Sequence, residues 1–198
     1  MTATSPRRRT ILRAAERLFE HYGPGKTTIA DVAREAGVGV GTVYLEFAGK
    51  EAIVEELSRA KHEAVLSAMR TASTRSDLTL LERVAAVFDA RLAATFGLVR
   101  AGVHACDLVR CRGEGAVTSA SAAFIAEERV LLVELVRSGV RAREIDSSDP
   151  DATAAALLAC YASFAAPQVL GRDEKDARSE LERVHVVVLH GLARRRRG

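Results

Sequence analysis

Val40, Gly41, Thr42, Tyr44 and Leu45 lie within six residues of one another and combine two hydroxyl groups, two branched aliphatic side chains and one bare backbone position. On a helix they form a small, uncharged and partly aromatic face, unlike the charged face of an ordinary solvated helix. Such a face suits entry into the major groove of DNA. Compact residues allow close approach, hydroxyls donate to phosphates or base edges, and a methyl or aromatic edge meets thymine. Three flanking residues extend the same chemistry. Thr28 adds a hydroxyl, Gly39 leaves the positive N-terminal end of the helix open to a phosphate, and Lys50 adds an ammonium.

Two short helices have to position these groups. Ile29, Val32, Ala33 and Ala36 recur at helical spacing while Asp31, Arg34 and Glu35 fall on the other side, so the first helix buries one face. Thr28 followed by Asp31 is its N-cap signal. Gly37 marks a sharp turn, Val38 drops into the core, and Val40, Val43 and Phe47 restart an apolar stripe. The pattern predicts a helix-turn-helix.

Residues Ala33 to Glu51 follow the pattern AxxAGVxxGTxYxxFxxKE, which resembles the DNA-binding signature of the TetR family of transcriptional repressors. Upstream, Ile11, Ala14, Ala15, Leu18, Phe19 and Gly23 are similar to that family's first helix and the turn after it. The resemblance covers about a quarter of the chain. It implies a three-helix DNA-binding domain followed by a helical domain that dimerises and binds ligand. It also implies repression at a palindromic operator, relieved when a ligand pushes the helix that begins near Lys50. Activation, or repression with no small-molecule inducer, is the alternative regulatory mode. Two positions depart from the pattern: the family usually has Ser or Thr before the recognition helix and Ser or Asn before the next one, where this chain has Gly39 and Gly49. Glycine is a serviceable N-cap, a few tenths of a kcal/mol weaker than Ser or Thr, but it offers no hydroxyl to a phosphate.

Composition fits a small N-terminal unit, residues 1–50, and one larger domain, residues 51–198. Residues 1–50 hold eight Lys or Arg against five acids, whereas the remainder holds 21 of each, so the whole net charge of +3 sits with the helix-turn-helix. Arg7, Arg8 and Arg9 follow Ser5-Pro6, a cap and first-turn pair, and are within reach of backbone phosphates; a frayed basic terminus is the plainer reading. The arginines at 194–197 read as a tail. No apolar run is long enough to span a membrane and no signal-peptide core is present, so a soluble cytoplasmic protein is expected. Three cysteines argue against a disulfide framework.

Beyond residue 50 the sequence reads as helices over roughly 51–70, 78–96, 98–111, 121–141, 151–170 and 174–194, with loops over 71–79 and 147–150 and a weaker one over 113–121. Alanine is abundant and strand signals are nearly absent, so the fold class is all-α. The helix over 151–170 is apolar nearly all round, with Ala152, Ala155, Ala156, Ala159 and Ala162 permitting close approach. In the last helix Ala177, Leu181, Val184, Val188 and Leu192 form a stripe. These two helices are expected to pair with their symmetry mates into a four-helix interface, giving a homodimer whose recognition helices stand about 34–36 Å apart.

Effector contacts are sought where polar groups interrupt apolar helices. Arg100, His104, Asp107 and Cys111 are spaced to share one helical face, and Tyr161, Phe164 and Gln168 form a second stripe. The plainer readings are a solvated face with an ion pair for the first and core packing for the second. A metal or thiol sensor at His104, Asp107 and Cys111 lacks supporting ligand spacing, and Cys106 and Cys160 do not join it. A small effector with an apolar body and a few polar handles is expected, with no metal and no cofactor. No nucleophile elbow, phosphate-binding loop or zincin motif is present, and Gly37, Gly39 and Gly41 follow a helix rather than a strand, so an enzyme is not expected. A helix-turn-helix used for a protein contact is the remaining alternative, separable by the salt dependence of duplex binding.

Overall fold

The computed structural model describes residues 5–101, 104–109 and 116–192. Among them are eight α-helices: α1 Pro6–Tyr22, α2 Ile29–Ala36, α3 Val40–Glu46, α4 Lys50–Ser73, α5 Leu80–Ala101, α6 Ala116–Ala142, α7 Pro150–Cys160 and α8 Glu174–Leu192. Three 3-10 turns, Pro24–Lys26, Ala105–Leu108 and Ala162–Phe164, complete the described elements, and none is a strand.

Local chemistry sets several boundaries. Ser5 caps α1 by accepting the Arg8 amide at 3.0 Å, with Pro6 in the first turn. Thr28 and Asp31 form a complete capping box at the start of α2, and the Thr28 hydroxyl and amide hold the Asp31 carboxyl below the usual carboxylate range. Gly37 ends α2 in the left-handed conformation, φ 67°, which lets the chain reverse into α3. Asp149 caps α7 through the Ala152 amide at 3.0 Å.

Four expected boundaries move. The helix expected over 51–70 runs on to Ser73, because Ala72 is buried. The two helices expected over 78–96 and 98–111 are replaced by α5, ending at Ala101, and the 3-10 turn Ala105–Leu108, where Ala105, Leu108 and Val109 turn into the core. α6 begins at Ala116, inside the expected loop over 113–121. The helix expected over 151–170 stops at Cys160. Tyr161, Phe164 and Val169 are buried in a path no single helix could give them, and Pro167 brings no N–H to continue one.

The chain divides into two compact units, residues 1–62 with 97–122, and residues 63–96 with 123–198. The first therefore takes in more than the stretch before residue 51. Its core joins Ile11, Ala15 and Phe19 of α1, Val32 and Ala33 of α2, Val43 of α3, Phe47, Ile53 and Leu57 of α4, and Leu108. Lys61 lies 2.8 Å from Glu20 and also pairs with Glu16, tying α4 to α1.

The second unit buries Val84, Val87, Phe88 and Leu92 of α5 together with Leu132 and Val136 of α6, Leu157 of α7 and Leu181 of α8. At Gly139, where α6 meets the start of α5, a Cβ would stand 2.2 Å from Leu80 Cδ2 and 2.8 Å from Ile145 Cδ1, so those side chains pack closely on the bare backbone and would have to shift for any larger residue. Inside this unit Arg91 and Glu128 form a buried ion pair, Nε to Oε1 2.9 Å, with side chains 8% and 3% exposed. Burial pulls the guanidinium down from its ordinary range and pushes the carboxyl up. Removing one partner leaves an uncompensated buried charge. Arg91→Met or Glu128→Leu alone should cost about 3–5 kcal/mol in urea unfolding, while the double variant should recover most of that loss. Single variants within about 1 kcal/mol of the parent would show that the pair is solvated.

Candidate nucleic-acid interface

The core of the first unit fixes which face of α3 is turned outward. Val43 is fully buried and Phe47 nearly so, with Val38 packed beside them. With that side committed, Leu45 is 82% exposed, Tyr44 56% and Val40 43%. Val40 thus belongs to the outward face and not to the buried stripe that its spacing implied. Val40 lies only about 60° around the axis from Val43, so its exposure comes from its place in the first turn, outside the buried cluster that holds Val43. Gly41 is exposed, and a Cβ built on it meets nothing within 4 Å. Thr42 is half-buried, its amide donating to the Gly39 carbonyl at 2.9 Å. Gly39 caps the helix in an extended conformation with no side-chain bond.

A clamp at the far end of α3 holds this geometry. The Arg8 guanidinium donates to the Glu46 carbonyl oxygen and to the Glu56 carboxylate, and it lies 3.9 Å over the Phe47 ring. The Ser5 hydroxyl donates to both Glu46 carboxylate oxygens, at 3.2 and 3.3 Å. Arg8 is therefore a fastener between α1, the end of α3 and α4, whereas Arg7 and Arg9 remain exposed. Sequence reasoning groups all three as one basic terminus. The one sequence signal for Arg8 is the acidic Glu56, at a separation that no local pattern relates, since the Glu46 contact is to a backbone carbonyl.

Lys50 is also tied inward. Its ammonium donates to the carbonyls of Pro24 at 3.0 Å and Thr27 at 3.2 Å, securing the turn between α1 and α2, which leaves one of its three hydrogens for a phosphate. Thr28 is exposed, its hydroxyl donating to Asp31 at 2.6 Å. The structure thus brings Gly39, Val40, Gly41, Thr42, Tyr44 and Leu45 together on one short helix and its cap, with Thr28 and Lys50 acting first as local fasteners.

Comparison with known proteins agrees with this arrangement. Residues 11–57 match the family described as bacterial regulatory proteins, tetR family. This stretch, α1 to the first turns of α4, is what the chain shares with that family. A probable HTH-type transcriptional regulator, ArpR of Pseudomonas putida, is 37% identical over 71 residues, 36% of this chain and 34% of that protein. The HTH-type transcriptional regulator TtgR, also of Pseudomonas putida, is 43% identical over 56 residues, 28% of this chain and 27% of that protein. The chain thus spans about a third of the length of the curated relatives it matches. These relatives are named as regulators and not as enzymes.

Solved structures share the fold over nearly the whole chain. A TetR/AcrR-family regulator from Thermobifida fusca superposes with a TM-score of 0.72 at 20% identity, covering 96% of this chain and 100% of that one. FadR from Bacillus subtilis, in complex with stearoyl-CoA, superposes with a TM-score of 0.70 at 19% identity, covering 93% and 98%. At such identities the likeness is one of fold alone.

The candidate effector residues separate in the structure. Arg100, His104 and Asp107 do not share a helical face, because α5 ends at Ala101 and Asp107 lies in a 3-10 turn. His104 Nδ1 stands 2.8 Å from Asp107 Oδ2, the backbone N–H of His104 donates to the Glu20 carbonyl at 3.0 Å, and its ring packs against Gly23. These contacts lie within the first unit and tie the turn to the end of α1. Cys111 lies outside the described residues. Tyr161 and Phe164 are buried in the second unit, while Gln168 is exposed in the following turn, so they do not form a stripe either. Tyr161 stacks on Phe88 with centroids 3.8 Å apart, and its hydroxyl shares a 2.8 Å hydrogen bond with His185 Nδ1. Burial pushes the Tyr161 phenol up from its ordinary range. Sequence reasoning misses Arg91 and Glu128. Each sits among other charged residues of its helix, Arg83 and Asp89 in α5 and Glu127 and Arg129 in α6, and nothing in the spacing singles the two out or pairs α5 with α6.

The open space above Gly41 yields a direct test. Gly41→Ala adds one methyl that meets no protein atom, so the melting temperature should hold or rise slightly. If the backbone at Gly41 approaches DNA, the same methyl should weaken duplex affinity by roughly ten-fold or more, the cost of an overpacked contact. Affinity equal to the parent in a titration would remove Gly41 from the interface.

Proposed function

We propose that this protein is a homodimeric, sequence-specific transcriptional repressor of the cytoplasm, released from a palindromic operator when a small, largely apolar ligand binds its second unit. The observation that carries the reading is the outward face of α3. A short helix is locked by Val43, Phe47 and the Arg8 clamp, and it turns an uncharged surface of Val40, Gly41, Thr42, Tyr44 and Leu45 to solvent. Leaving so apolar a surface exposed disfavours a bare solvent face and favours a docked one. Thr28 and Lys50, with Arg7 and Arg9, are the proposed phosphate contacts.

Dimerisation draws support from α7 and α8. Ala154 and Leu157 of α7 are buried, whereas Ala152, Ala155, Ala156 and Ala159 are exposed together, a small-residue face that admits a second helix closely. On α8, Ala177 and Leu181 pack within the chain, whereas Val186 and Val187 are 58% and 74% exposed. The exposed valines, and not the stripe beginning at Ala177 and Leu181, are therefore proposed as α8's part of the interface. Two copies joined there would present two recognition helices to successive major grooves.

The effector reading is supported by the apolar core of the second unit and by the stearoyl-CoA bound to FadR, a structural neighbour. Tyr161 and Phe164 are proposed as walls. The Arg91–Glu128 pair is proposed as a polar anchor, since Arg91 Nη1 is buried without a hydrogen-bond partner among the described residues. Among the described residues no helix is long and apolar enough to cross a membrane.

Genomic-fragment selection on the purified dimer, followed by titration of the recovered duplex at two salt concentrations, tests the central part. The expected result is a palindrome whose affinity falls by roughly a thousand-fold or more between 50 and 200 mM salt. Tyr44→Ala should weaken that specific binding while leaving the dimer intact by sedimentation. A folded dimer that enriches no duplex would refute the proposal.

A further inference from the structure

We propose that α3 reads its operator chiefly through the C5-methyl groups of thymine, with Leu45, Val40 and the Tyr44 ring as the reading groups. The inference rests on the DNA-binding reading above and goes beyond it by stating which feature of the bases is recognised.

The composition of α3 removes the other modes of base readout. The helix is VGTVYLE and contains no Arg, Lys, Asn or Gln. Guanine is distinguished in the major groove by bidentate Arg or Lys, adenine by bidentate Asn or Gln, and cytosine by an acidic acceptor. The first two kinds of contact have no donor on this helix. The third has one candidate, Glu46, and its carboxylate accepts from the Ser5 hydroxyl at 3.2 and 3.3 Å while Arg8 holds its carbonyl. Glu46 is thus committed to α1, at the end of α3 farthest from Gly39. Lys50, the nearest cation in sequence, spends two of its hydrogens on the carbonyls of Pro24 and Thr27.

What remains outward is aliphatic and aromatic. Among the described residues Leu45 is the most exposed large hydrophobic one, followed on α3 by Tyr44 and Val40, and the open position at Gly41 lets the helix settle deeply between them. The hydroxyls of Thr42 and Tyr44 pair with donors or acceptors alike and discriminate weakly. Among the groups that base pairs present in the major groove, one rewards an apolar side chain, the thymine methyl. Burying one methyl is worth about four-fold in affinity, so the same contact mirrored in two half-sites gives about fifteen-fold.

Replacing thymine by deoxyuridine removes that methyl and leaves base pairing intact. The experiment titrates the wild-type protein against the recovered operator with each thymine pair changed symmetrically to deoxyuridine. A parallel set replaces guanine by 7-deazaguanine, which removes the N7 acceptor. The expected result is a loss of about ten- to fifteen-fold at one or two thymine positions per half-site. In Leu45→Ala the loss at the base beneath Leu45 should shrink toward one-fold, because the methyl then has no partner. A fully deoxyuridine-substituted operator bound within two-fold of the thymine form would overturn the inference, as would losses confined to 7-deazaguanine. Those outcomes leave the regulator reading standing. Failure of the folded wild-type dimer to retain any duplex overturns both.

Discussion

Val43 and Phe47 cannot be exposed without opening the core of the first unit, and that constraint orients the face proposed to meet DNA. α3 makes fewer than two full turns, too short to be stable as an isolated helix in water. Its existence and its rotation about its own axis are both supplied by burial against α1, α2 and α4. Once Val43 is inward, Tyr44 and Leu45 are outward by helix geometry alone. The exposed apolar face is the other side of a well-made core. Its cost in solubility is what the proposed contact with DNA would offset.

Electrostatics serves this positioning before it serves attraction. Arg8, Lys50 and Lys61 are cations of the first unit, and each is bound to groups within it: Arg8 to Glu46 and Glu56, Lys50 to two carbonyls, Lys61 to Glu16 and Glu20. Half-buried ion pairs of this kind gain more than exposed ones, because neighbouring atoms exclude some of the screening water. Arg7 and Arg9, exposed at the start of α1, are the proposed phosphate contacts. Such a division suits a helix that discriminates by shape and methyl contact, since a strongly cationic reading face would bind all sequences nearly alike.

The parts of the fold legible in the sequence are those set by local rules. Spacing reveals α1, α2 and the buried side of α3. Thr28 with Asp31 and Ser5 with Pro6 mark the caps, and Gly37 marks the turn, since each acts on residues within one helical turn. Arg8 escapes such rules because its partners lie 38 and 48 residues away. The end of α5 escapes them because Ala105 and Leu108 fit a helical period equally well, and burial of Leu108 in the cluster of Ile11 and Phe19 settles the matter. Likewise, α7 looks continuous to residue 170 because alanine-rich sequence favours helix everywhere. Tyr161, drawn onto Phe88 and His185, ends it. Arg91 and Glu128 are invisible as a pair, since helix partners are not written in spacing.

Hydrogen exchange on the free dimer, and again with the recovered operator duplex, tests whether the core builds the reading face in advance. If α3 is a pre-formed reading helix, the amides of Val43 and Phe47 should already be protected in the free protein. Added duplex should then slow exchange most from Gly39 to Phe47 and at the start of α1. Free exchange across Val43 in the absence of DNA, or protection by duplex centred elsewhere, would contradict a face built in advance by the core.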